Sequence, residues 1–102
     1  MPPDDPLRYW AVLALALVMP VKAGEIDAEE ARALLGAGQI QSLEAILERA
    51  LEHQPGRLLD VELEREDGRY VYELELLDEE GYVWELELDA STGELLERER
   101  EH

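Results

Sequence analysis

A seven-residue phrase of this chain is written twice, with one aromatic exchanged for another. Tyr70-Val71-Tyr72-Glu73-Leu74-Glu75-Leu76 returns twelve positions later as Tyr82-Val83-Trp84-Glu85-Leu86-Glu87-Leu88. Strict alternation over such a run sends successive side chains to opposite faces of a strand. Tyr70, Tyr72, Leu74 and Leu76 share one face with Tyr82, Trp84, Leu86 and Leu88. Val71, Glu73, Glu75, Val83, Glu85 and Glu87 take the other. Between the copies, Leu77-Asp78-Glu79-Glu80-Gly81 is polar and closes on a Gly able to take positive φ. The spacing predicts an antiparallel hairpin, apolar and aromatic on one face and lined with carboxylates on the other.

The flanking sequence extends this sheet. In the first strand, residues 57–65, Leu59, Val61 and Leu63 point one way and Asp60, Glu62 and Glu64 the other. Asp67 and Gly68 supply the turn into the hairpin. After it, Asp89 can accept backbone N–H groups and Gly93 can adopt the left-handed conformation, which makes residues 89–93 a second turn. Glu94-Leu95-Leu96 returns as a brief fourth strand, and the charged end beyond it is expected to fray.

Two helices precede the sheet. Asp27 with Glu30 three residues on forms a capping box, and Gly36-Ala37-Gly38 ends that first helix after about nine residues. Ser42 caps a second helix over 43–53. Its Leu43, Ile46, Leu47, Ala50 and Leu51 make a one-sided apolar stripe, and Pro55-Gly56 stops it. That stripe is the only feature able to cover the apolar sheet face. The expected fold class is therefore α+β. One main helix, with a short N-terminal helix beside it, packs on one face of a three- to four-stranded antiparallel meander.

Residues 1–23 read as a signal peptide, 24–41 as short helix and linker, and 42–102 as the main domain. Residues 9–21 carry no charge, a run shorter than the roughly 20 residues of a spanning helix but suited to a signal core. Pro20 breaks it, and Val21 and Ala23 sit at −3 and −1 before Gly24. The leading segment departs from the usual pattern, since Asp4 and Asp5 precede a lone Arg8. Cleavage near Ala23 would give a periplasmic or secreted protein with no stable membrane insertion. It would remove Asp4, Asp5, Arg8 and Lys22, so the net charge of −17 would be unchanged. Such a charge argues against nucleic acid as a partner. The absence of Cys removes disulfides and thiolate metal sites.

The run from the helix ending at Pro55-Gly56 through Val61-Glu62-Leu63-Glu64, Asp67-Gly68 and Val71-Tyr72-Glu73-Leu74 resembles the PepSY domain. The likeness continues into Trp84-Glu85-Leu86-Glu87-Leu88-Asp89-Ala90-Ser91-Thr92-Gly93-Glu94-Leu95. It spans residues 42–96. The resemblance implies a helix-on-sheet fold outside the cytoplasm and a regulatory, non-catalytic role. The family is associated with propeptides of thermolysin-like metallopeptidases and with small stand-alone exported proteins that inhibit proteases or modulate envelope sensors. It brings no catalytic motif, and Asp89 and Gly93 carry over only as turn residues.

The residues themselves offer little to catalysis. Ser42, Ser91 and Thr92, the hydroxyl nucleophiles after residue 23 besides the tyrosines, have capping or turn positions, and His53 and His102 lie at element ends. Carboxylates on a flat, solvated face would lack the contrasting environments that an acid–base pair needs. No cofactor is expected. The candidate site is the acidic sheet face: Glu62, Glu64, Glu73, Glu75, Glu85 and Glu87, with Arg69 on the same face by parity. At about 5 Å two such charges repel by roughly 0.8 kcal/mol in water. Three readings compete: a repulsive face that resists aggregation, a docking surface for a basic protein partner, and a weak divalent-cation site. The leading expectation is a binding module that modulates a peptidase or the outer domain of a membrane sensor. The alternative is an acidic, cation-responsive periplasmic protein.

Overall fold

A computed structural model describes residues 24–101; the signal peptide expected over 1–23 lies outside them. Two helices, α1 (Ala28–Gly36) and α2 (Leu43–His53), precede strands β1 (Arg57–Glu66), β2 (Arg69–Leu77), β3 (Val83–Asp89) and β4 (Leu95–Arg100). The strands form one antiparallel sheet in the order β1-β2-β3-β4, with both helices against one face. This is the α+β meander that the alternation and the helical stripe predict. No described helix is long and apolar enough to cross a membrane.

Register explains the core. Leu74 pairs with Leu86 across β2 and β3, flanked by Val61 of β1. Leu76 pairs with Trp84, flanked by Leu58; Tyr72 pairs with Leu88, flanked by Leu63. Leu74, Leu76, Leu86 and Leu88 are fully buried, as are Ile46 and Ala50 from the middle of the α2 stripe. Leu43 and Leu51 at the margins of the stripe stay exposed. Ile26 and Ile40 join the same core, so the segment before α2 packs with the sheet. The Tyr72 hydroxyl donates to the Gln41 carbonyl (3.0 Å), and Gln41 N–H donates to the Ala90 carbonyl (2.7 Å), fixing the entry to α2.

Both helices begin on the expected caps. Asp27 accepts from Glu30 N–H at 2.8 Å, and Ser42 Oγ accepts from Ala45 N–H at 3.2 Å. The Glu30 side chain, expected to complete a capping box, is instead held by Arg65 of β1 through two bonds of 2.9 and 2.8 Å. A bidentate guanidinium–carboxylate pair outcompetes a single backbone N–H. It straps α1 to the sheet.

Three features depart from simple parity. A bulge between Leu58 and Asp60 makes Leu59 the extra residue, so Leu58 packs on the core while Leu59, expected inward, is 45% exposed. Gly56 does more than follow a helix end. A Cβ there would sit 2.6 Å from the Leu77 carbonyl oxygen, so the close approach of the chain to β2 requires glycine. The C-terminal end does not fray: β4 runs to Arg100. A second bulge, at Leu96, turns Arg98 and Arg100 toward the helix side. There Arg98 lies 4.2 Å over the Trp84 ring and Arg100 lies 4.5 Å over Tyr82, while Arg98 also donates to Gln54 at the end of α2. Cation–π contact gives this charged strand a reason to lie down.

Candidate functional site

The face opposite the helices is built from register. Directly opposed residues form the row Asp60–Glu75–Glu85–Glu99 and the row Glu62–Glu73–Glu87–Glu97. Every cross-strand neighbour in these two rows is another carboxylate. All six expected residues share the face: Glu62 and Glu73 are opposed, as are Glu73 and Glu87, and Glu75 and Glu85, while Glu64 pairs with Val71. Alternation alone found these six. It missed Glu97, Glu99 and Glu101, because the end beyond Leu96 is expected to fray, whereas β4 continues there and the Leu96 bulge turns these three onto the carboxylate face.

The ends of the face are less acidic. Leu77 pairs with Val83 at one end. At the other, Val71 is buried at a shallow cleft lined also by Glu66, Asp67, Arg69, Glu87 and Leu96. Arg69 lies on this face as expected and pairs with Asp89 at 3.6 Å.

The carboxylates are not the solvated set that sequence suggested. Glu64 is buried, and Glu62, Glu73, Glu75, Glu85 and Glu87 are half-buried. Burial, then hydrogen bonding and repulsion from Glu73 and Glu101, raises the Glu85 carboxyl to about 7. Glu87 is pushed to about 7 by burial, a hydrogen bond with Glu97 and repulsion from Glu66, Glu97 and Glu73. Glu75 is raised too, by burial and then by Glu101 and Asp60. Side chains on neighbouring strands shade one another from water, and removing charge relieves both desolvation and repulsion. Glu85 and Glu87 thus hold their protons to higher pH than an ordinary carboxyl does.

One carboxylate oxygen from each of Glu62, Glu64 and Glu73 lies within 4.8 Å of the others, as do those of Glu73, Glu85 and Glu87. These are the described residues to which a hard cation would turn for oxygen ligands. Strand spacing alone also enforces such proximity.

The turns place the remaining expected residues. Asp67 and Gly68 both have positive φ, 49° and 78°, as a two-residue type I′ connection requires. Asp89 Oδ1 accepts from Ser91 N–H (2.8 Å), Ser91 Oγ (2.6 Å) and Thr92 N–H (3.2 Å), and Gly93 takes φ 80°. These bonds hold the Asp89 carboxyl below its ordinary range. Asp78 does the same work in the preceding turn, where it accepts from the N–H groups of Glu80 and Tyr82 and from Trp84 Nε1 (2.8 Å). Its pKa is lowered, first by the Trp84 bond. Sequence held the signal, since each copy of the repeated phrase runs into an Asp. Asp89→Ala should destabilise the fold by about 2 kcal/mol, as expected for losing several bonds to one ionised acceptor, and Asp89→Asn by less; urea unfolding measures both.

The one hydroxyl–carboxylate contact described above, Ser91 Oγ to Asp89, belongs to the turn that both residues build. A scan of protein families matches residues 40–99 to PepSY, described as "Peptidase propeptide and YPEB domain". No curated protein and no solved structure matches the chain. PepSY domains are generally non-catalytic regulatory modules. With the helix-on-sheet fold and more than half of the sequence matched, the chain belongs to the PepSY family.

Proposed function

We propose that this protein is a non-catalytic binding module that regulates a peptidase or an envelope sensor through its carboxylate face. The observation that carries the reading is the pair of uninterrupted carboxylate rows across four strands, held in place by register. Family membership supports the peptidase-regulating role, and export by a signal peptide would place the module with such partners. A surface of this kind favours a partner with clustered Arg and Lys. Long-range attraction speeds encounter, and the basic groups relieve repulsion already built into the sheet.

The test uses the full chain with the quadruple variant Glu73→Gln, Glu75→Gln, Glu85→Gln and Glu87→Gln. The wild type should inhibit or form a saturable complex with a thermolysin-like peptidase or a sensor ectodomain, weakening as salt is raised. The variant should bind at least about tenfold more weakly. Equal affinity of variant and wild type would remove the carboxylate face from the mechanism. A basic partner also prefers ionised carboxylates, so affinity should rise between pH 5.5 and pH 8 as Glu85 and Glu87 lose their protons. Isothermal titration in buffers of different ionisation enthalpy would detect the matching proton release.

A further inference from the structure

The two edges of the sheet differ. Along β1, Ile26 N–H donates to the Leu63 carbonyl and Arg65 N–H donates to the Gly24 carbonyl, both at 2.8 Å, so residues 24–26 cover part of that edge. Along β4, no described segment does so. The Glu101 N–H donates inward to the Val83 carbonyl. Antiparallel ladders alternate, so the N–H and C=O groups of Arg98 and Arg100 point outward from this edge. The whole of residues 96–101 is exposed.

The charges on β4 are sorted by face. Glu97, Glu99 and Glu101 continue the carboxylate face, while Arg98 and Arg100 lie on the helix side. Residues directly opposed in adjacent strands point to the same side of a sheet. Two-fold antiparallel pairing of β4 with a second copy would therefore set Glu against Glu and Arg against Arg, which destabilises. A strand with the reverse code has no such conflict.

We propose that the β4 edge receives an extended segment of a partner protein in which basic and acidic residues alternate. The basic residues face Glu97, Glu99 and Glu101, and the acidic ones face Arg98 and Arg100. Main-chain bonds to Arg98 and Arg100 hold the segment and charge alternation selects it. This rests on the reading of the chain as a binding module and adds where the partner docks and what its strand carries.

The test is amide hydrogen exchange on the full chain at low salt, with a ten-residue peptide alternating Lys and Glu. Two controls are a peptide of the same composition in two charge blocks and an all-Lys peptide. The alternating peptide should slow exchange at Arg98 and Arg100 by about tenfold, and the block peptide should not. Arg100→Pro removes an outward donor without touching the β3 ladder and should abolish the effect, while Arg100→Ala should retain protection at position 98. Should Arg100→Pro fail to fold, the peptide comparison decides alone. Equal protection by block and alternating peptides, or no protection, would overturn the proposal. If the alternating peptide leaves Arg98 and Arg100 unprotected while all-Lys binding shifts Glu73 and Glu85, the edge proposal falls and the carboxylate-face reading stands.

Discussion

Raising the pH from 5.5 to 8 should lower the melting temperature of this protein by roughly 10–15 °C. The cause lies in Glu85 and Glu87, whose folded-state pKa values, about 7, stand above the ordinary 4.5. Between those values the folded chain binds more protons than the unfolded one. The contribution is fully present below about pH 4.5 and is lost as pH rises through 7. Two shifts of this size, reduced for proton sharing and partial solvation, amount to on the order of 3 kcal/mol for the pair. Asp78 and Asp89 act in the opposite sense. Their pKa values are lowered, so they stabilise above the ordinary carboxylate range and lose that contribution only as pH falls below about 4. Stability should thus peak between about pH 4.5 and 6. Thermal melts across pH 4–9 check this, and Glu85→Gln with Glu87→Gln should flatten the alkaline limb by supplying neutral groups at every pH. A melting temperature that climbs steadily from pH 5 to 8 would refute this account of the face. The sign is opposite to that expected for binding a basic partner, so one set of carboxyls trades fold stability against affinity.

Leu74→Ala should cost about 3 kcal/mol, within the range for a buried leucine that leaves a cavity. Leu74 is fully buried between Val61 and Leu86 in the row beneath α2. Neither neighbouring strand can close inward without breaking its ladder. A small domain holds only about 5–10 kcal/mol in total, so the variant should melt well below the wild type. Leu59→Ala, at a superficially similar position in β1, should change stability by less than about 0.5 kcal/mol because Leu59 stands exposed on its bulge. Urea denaturation of both variants at pH 6 separates the two expectations.

The contrast between Leu74 and Leu59 shows what sequence could carry. Around Leu74 the alternation is unbroken for seven residues and repeated, and parity alone assigns each face. Near Leu59 and Leu96 a bulge adds one residue, so parity carries across neither: alternation places Val61 to Glu64 correctly but not Leu59, and nothing in the local pattern marks the insertion. Expecting the end to fray had a different origin. Glu97-Arg98-Glu99-Arg100 has no apolar side, and only the rings of Trp84 and Tyr82 give its arginines somewhere to lie.

Sequence by itself determined both helices and the first three strands, the caps at Asp27 and Ser42, the turns at Asp67-Gly68 and Asp89–Gly93, the apolar face and the six carboxylates opposite. These depend on period and local backbone chemistry, both of which act within a few residues. Tertiary structure decided which carboxylates meet, that their rows extend onto β4, that Glu85 and Glu87 are raised toward neutrality, and that among the described residues one sheet edge is partly covered while the other is open. Those outcomes depend on register between distant strands and on mutual burial, and neither exists until the chain has folded.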